Sequence, residues 1–202
     1  MIVILNDRRI VLVAGMLGAT ACANGSERPA DTAATSRPAA SVPASPSADP
    51  APAPTLVVTE RGIGPLEAGM SLKDASAAVG TTLAVPRGSD PASCYYVAWP
   101  DAPRGVRVMA DAGRIARVDV DSAGVATAAG VRVGDGEERV QQLYAGRVEE
   151  SPHKYIEGHY LTVTPASPAD SAFRLVFEIA KGRIVRYRAG RLPPVEWVEG
   201  CG

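Results

Sequence analysis

Two cysteines, two histidines and a scatter of arginines are the residues beyond position 56 with chemistry to offer. Cys94 would serve as a nucleophile only beside a base, and no motif surrounds it. The only histidines, His153 and His159, fall together in residues 151–160 with Glu157 between them. As a metal set they are poorly spaced, because a six-residue histidine separation on a loop fits none of the common zinc patterns. The same stretch holds Lys154, Tyr155 and Tyr160, residue types that anchor interfaces. Its plainest reading is a hairpin whose tyrosines close a sheet edge. Carboxylates are plentiful, yet no pair is spaced for glycosidase chemistry. The chain is therefore read as non-enzymatic, with an enzyme built on Cys94 or the His153/His159 loop as the last alternative, and no cofactor or metal is expected.

A third cysteine, Cys22, is of another kind. Arg8 and Arg9 precede an apolar run, Ile10 to Leu17, too short to span a bilayer, and small residues follow at Ala19-Thr20-Ala21. Residues 1–21 read as an export signal. A cysteine just after such a site resembles the lipobox of bacterial lipoproteins, in which the thiol is diacylated and the Cys becomes the new N-terminus. Ala23 follows, not the Asp of inner-membrane retention, so the resemblance implies an outer-membrane anchor facing the periplasm. A secretory signal cut after Ala21 is the alternative. With Cys22 lipidated, Cys94 and Cys201 are left as one disulfide. In the chain-entropy model, closing so long a loop contributes about 4–5 kcal/mol, and it would pin a C-terminal tail that otherwise ends loosely.

Residues 22–55 form a tether. Prolines at 29, 38, 43, 46, 50, 52 and 54 alternate with Ala and Ser, a composition that cannot bury enough apolar surface to order itself. As a flexible coil it would reach roughly 30–35 Å, and fully extended about 100 Å. The remaining 147 residues carry few aromatics, so Val, Leu, Ile and Ala must build the core. A formal charge of −1 lacks the basic excess of a nucleic-acid binder.

The folded part is a duplication. Gly113-Arg114-Ile115-Ala116-Arg117-Val118 recurs as Gly182-Arg183-Ile184-Val185-Arg186-Tyr187, 69 residues later. Each copy follows a strand-like run across a short turn ending in glycine, the geometry of a tight hairpin. Upstream, Gly69-Met70 leads into Ser71-Leu72-Lys73-Asp74, a capping-box pattern whose helix stops at Gly80. Gly134 leads into Asp135-Gly136-Glu137-Glu138, with Asp135 as cap and a stop at Gly146. The expected fold is α+β: two tandem units, 56–124 and 125–202, each a short helix packed on an antiparallel β-meander. Alternation places Phe173, Leu175, Phe177 and Ile179 inward. It sets Val185 and Tyr187 against Ile184, Arg186 and Arg188, and Ala116, Val118 and Val120 against Ile115, Arg117 and Asp119.

One helix covers one face of each sheet, so the other face should be open to solvent. Arg117, Arg186 and Arg188 would lie on it, with Tyr155 at its edge, Arg114 and Arg183 beside the turns, and Asp119, Asp121 and Glu178 as counter-charges. Trp99 and Trp197 read as covers held together by the Cys94–Cys201 link. The order of a Gly-Met-Ser helix start and a meander, twice over, resembles the tandem repeats of the β-lactamase inhibitor protein family. It also resembles, as a single unit, the small lipoproteins of the outer-membrane β-barrel assembly machinery. The resemblance implies a concave sheet surface that grips a partner protein. The leading expectation is an envelope protein partner on the open face; the alternative is an anionic envelope polymer or lipid on the arginines.

Overall fold

The structure, a computed structural model, describes residues 56–201. The export signal, the tether and Cys22 lie outside the described residues. Strands β1 (Val57–Thr59), β2 (Gly62–Ile63) and β3 (Leu66–Glu67) precede helix α1 (Leu72–Val79). Next come β4 (Cys94–Tyr96), β5 (Val106–Asp111), β6 (Arg114–Val120) and β7 (Ala126–Thr127), then helix α2 (Glu137–Leu143). Strands β8 (Val148–Pro152), β9 (His159–Val163), β10 (Phe173–Ala180) and β11 (Arg183–Arg191) complete the chain, and a 3-10 turn at Pro194–Glu196 opens the tail. The fold is α+β, with short helices on antiparallel meanders. No helix among the described residues is long and apolar enough to cross a membrane.

Seven strands form one sheet in the order β4-β5-β6-β11-β10-β9-β8. Both units thus contribute to a single sheet, joined antiparallel through β6 and β11. A second, smaller sheet, β3-β2-β1-β7, was not legible in the sequence. Its β1 pairs in parallel with β7, so the start of the first unit is bonded to the segment that opens the second.

The duplication is written in hydrogen bonds. In the turns, Ala112 and Gly113 repeat as Lys181 and Gly182, all four with positive φ, as a type I′ hairpin requires. The Arg114 guanidinium donates to Gly69 O at 2.9 Å, and Arg183 donates to Gly134 O at 2.9 Å. Gly69 N donates to Ile115 O and Gly134 N to Ile184 O, at 2.7 and 2.8 Å. Both hairpins are bulged at the same place. The register slips between Met109 and Ala110 and between Glu178 and Ile179, leaving Ala116 and Val185 as the extra residues.

Those bulges correct the strand faces expected from alternation. One inserted residue reverses the phase beyond it. Ile115 and Ile184 therefore join Val118, Val120, Tyr187 and Ala189 in the core, while Val185 is exposed. Phe173, Leu175, Phe177 and Ile179 are buried as expected. Helix α1 is capped by Ser71, whose Oγ accepts from Asp74 N at 3.1 Å, and ends at Gly80 in the left-handed region. Helix α2 differs: its N-cap is Gly136 with no side-chain bond, and it ends at Leu143, before Gly146. Asp135 accepts instead from Arg132 N and pairs with Arg139. Both helices pack on one sheet face, where Ala75, Val140 and Tyr144 meet the sheet's apolar side chains.

Candidate functional site

The other face of the large sheet carries most of the residues singled out for binding. Cross-strand partners share a face, so the pairings define three rows across it. One row runs Tyr96, Met109, Arg117, Gly190 and Arg174; the next runs Arg107, Asp119, Arg188, Val176, Thr162 and Glu149. The third runs Arg186, Glu178, Tyr160 and Ser151. Asp119 faces Arg188, which is its own equivalent in the second unit, so the pseudo-dyad of the duplication passes between them. At the joint, a Cβ on Gly190 would stand 2.6 Å from Arg117 Cβ; glycine lets the two units close.

The face is not open throughout, which corrects the sequence expectation. The tail folds back across it. Val195 is buried beside Tyr160 and Val176. Arg117 donates to Pro194 O at 2.9 Å and Trp197 O at 2.5 Å, and to Tyr96 Oη at 3.1 Å; its Nε meets Asp119 at 3.2 Å. Arg188 donates to Val195 O and to Glu178 Oε1, each at 2.6 Å. Arg117 and Arg188 are each only 3% exposed. They hold the tail and present no contact surface. The tail, expected to hang from its disulfide, is seated by these bonds, and guanidinium donors on carbonyls of the same chain are among the stronger hydrogen bonds.

Cys94 and Cys201 are bonded to each other, with Cα atoms 5.3 Å apart. In this structure Cys94 therefore carries no free thiol. Of the tryptophans, Trp99 packs against the main core, and Trp197 lies in the tail as the carbonyl held by Arg117.

Glu178 is the hub. Its carboxylate, 4% exposed, meets Arg188 at 2.6 Å, Arg186 at 3.1 Å and His153 Nε2 at 3.5 Å. Burial lowers the Arg188 pKa, and the Glu178 charge opposes that shift. Burial raises the Tyr160 pKa, with Glu178 adding to it. A lone acid inside the apolar run of residues 173–179 was the sequence signal for this hub. Arg107, between Val106 and Val108, was equally readable as outward-facing. Its guanidinium lies 4.7 Å over the Tyr96 ring, and no acid pairs with it among the described residues.

The histidines part company. His153 stacks on Tyr160 with ring centroids 4.5 Å apart, and its Nδ1 accepts from Tyr155 N and Ile156 N. That acceptance leaves Nε2 as the protonated nitrogen facing Glu178. His159 instead bonds Glu137 of α2 at 2.5 Å, on the helix side of the sheet. The His153, Glu157 and His159 metal set is thus not assembled, and no group of three or more His, Cys, Asp or Glu among the described residues is placed to share an ion. His153 fixes the loop that displays Tyr155, which is 62% exposed and bonds Glu199 of the tail through its hydroxyl.

Two spaces stay accessible between sheet and tail among the described residues: one of about 310 Å³ beside Tyr160 and Val176, and a cleft of about 230 Å³ on the first unit's side. Tyr96, Arg107, Asp119 and Arg186 form its floor and sides, and residues 198–200 its roof. Of Arg117, Arg186 and Arg188, Arg186 alone reaches solvent, with its side chain 54% exposed.

No protein-family model matches the chain, and no curated protein matches it. Among solved structures, the chain is similar to the uncharacterized protein YfeY from Escherichia coli, at 14% identity and a TM-score of 0.39 over 67% of this chain and 99% of that one.

Proposed function

We propose that this chain is a non-enzymatic envelope protein, exported and lipid-anchored on Cys22, that binds another protein through the sheet face opposite its helices. The observation that carries the reading is the division of labour on that face. Arg117, Arg188 and Glu178 are buried and satisfied, building a rigid floor, while Arg186, Arg107 and Tyr155 stand out from it. Pre-organised arginine and aromatic side chains around a polar rim are the residue types that concentrate binding energy. The tandem-unit resemblance supports the same surface, since it implies a sheet that grips a partner. A polymer or lipid ligand fits less well, because Asp119, Glu178 and Glu199 share the cleft with the arginines and offset the field that a polyanion needs.

Site-specific photo-crosslinking in membranes tests the reading. A crosslinker at Arg186 or Tyr155 should give a discrete adduct that weakens with salt, and one at Leu143 on helix α2 should give none. Equal adducts from both faces would sink the assignment. The anchor is tested by mass spectrometry: a diacylglyceryl adduct on Cys22 is expected, and a soluble protein with an unmodified Cys22 would contradict it.

A further inference from the structure

We propose that residues 198–201 are a disulfide-latched strap over a carboxylate-binding cleft that receives an acidic side chain from the partner. The inference rests on the binding face just proposed and names its ligand chemistry and its regulation.

The tail has two parts held in different ways. Up to Trp197 it is seated without covalent help: Val195 fills the Tyr160–Val176 seat, and Arg117 and Arg188 hold the carbonyls of Pro194, Val195 and Trp197. Beyond Trp197 no main-chain hydrogen bond fixes it among the described residues. The end is secured by Cys201–Cys94 and by the Tyr155–Glu199 hydrogen bond. Gly200 has φ +72°, and a Cβ there would lie 2.7 Å from Tyr96 Oη. Glycine thus lets the strap press directly onto the cleft.

The duplication shows what the strap covers. Strand pairing makes Tyr96 and Arg107 of the first unit the equivalents of Tyr160 and Val176 of the second. In the second unit Val195 packs against Tyr160 and Val176 at that spot. In the first, Arg107 stands where the second has Val176, stacked on Tyr96 and without an acid partner among the described residues. Arg186 borders the same cleft, its Nε facing Glu178 and its side chain largely in solvent. Two guanidinium groups with donors to spare suit a carboxylate, and the strap's own Glu199, which borders the same space, is turned to Tyr155 instead.

Cys94 and Cys201 are each partly exposed, and thiol exchange needs such access. A dithiol donor attacks one sulfur as the thiolate, breaking the S–S bond and forming a mixed disulfide. Its second thiol then displaces the protein sulfur. The donor leaves as a disulfide, and both protein cysteines end as thiols carrying the donor's two protons. The anchored part stays, and the strap lifts.

The test uses the full chain as oxidised protein, after dithiothreitol, and as Cys94→Ser/Cys201→Ser. Trp197, which borders residues 198–200, reports the lifting of the strap from it through emission in a Trp99→Phe background, and anisotropy of a labelled peptide carrying one glutamate reports the cleft. Reduction or the double substitution should make Trp197 more quenchable by acrylamide and tighten binding of the single-glutamate peptide about tenfold, within what charge-assisted hydrogen bonds supply. Arg107→Ala and Arg186→Ala in the unlatched protein should abolish the gain. Equal binding before and after reduction, or two free thiols in protein purified without reductant, overturns the latch. A released strap with no binding of the single-glutamate peptide overturns the carboxylate assignment. If the unlatched cleft takes the probe while Arg186 gives no crosslink in membranes, the protein-binding reading fails alone. Should the double variant not fold, the reduced natural chain carries the comparison.

Discussion

The two units share their turns, their bulges and the arginine bond to the helix-leading glycine, but they differ on the face away from the core. Met109 of the first unit becomes Glu178 in the second, Asp119 becomes Arg188, and Arg107 becomes Val176. The shared features are local and backbone-directed; the divergent ones are side chains on one surface. The comparison teaches that the duplicated framework holds the sheet, while sequence change on the outer face made two unlike half-sites. One half-site receives Val195 and the other an arginine-lined cleft.

The strongest way to break this view is to make the halves alike. Glu178→Met copies the first unit and leaves Arg188 buried without its acid, so unfolding free energy should fall by about 3–5 kcal/mol. Adding Arg188→Met should recover a good part of that loss, because removing both buried charges is far less costly than removing one. Chemical denaturation of the two proteins checks it, and a double variant no more stable than the single would refute the ion-pair account.

Next in size is the joint between the units. Gly190→Ala forces a methyl against Arg117 and should cost about 3 kcal/mol. The equivalent position, Asp121, lies outside the large sheet, and Asp121→Ala should leave the thermal midpoint nearly unchanged. A tolerated Gly190→Ala would mean that β6 and β11 are less closely joined than described.

Arg114→Ala and Arg183→Ala should each cost about 1 kcal/mol, since each removes one charge-assisted bond to an exposed carbonyl. Unequal losses would show that the two frameworks are not energetically equivalent.

Tyr187, where the first unit has Val118, sharpens the contrast in pH. Burial raises its pKa above the ordinary 10.0. A raised acid pKa in the folded state means stability is complete below pH 10 and is lost as the pH rises beyond it. Thermal unfolding across alkaline pH should show that decline, shallower in Tyr187→Phe.

The smallest effect concerns the caps. Gly136→Ser would give α2 the side-chain acceptor that Ser71 gives α1, a gain of a few tenths of a kcal/mol, with the Glu138 carboxylate moving aside. Ser71→Ala should cost about 1 kcal/mol by the same measurement.

Much of the framework was determined by the sequence itself. The repeat at Gly113 and Gly182, the Ser71 cap, the Gly80 stop and the inward face of residues 173–179 all depend on interactions within a few residues. For these, steric preference and one or two hydrogen bonds decide the outcome. Pairing Cys94 with Cys201 followed from assigning Cys22 elsewhere, and the structure joins those two cysteines. Tertiary structure alone decided the rest. Alternation cannot show that Ala116 and Val185 are inserted residues, because a bulge exists only relative to a partner strand, and one such residue moved Ile115 and Ile184 into the core. Nor does Arg117 carry any local sign of its destination. Its guanidinium is buried by carbonyls 77 and 80 residues further along the chain, and charge alone favours solvent until those acceptors arrive. Where the tail lies, and so which arginines remain to meet a partner, was settled by that long-range satisfaction of buried charge.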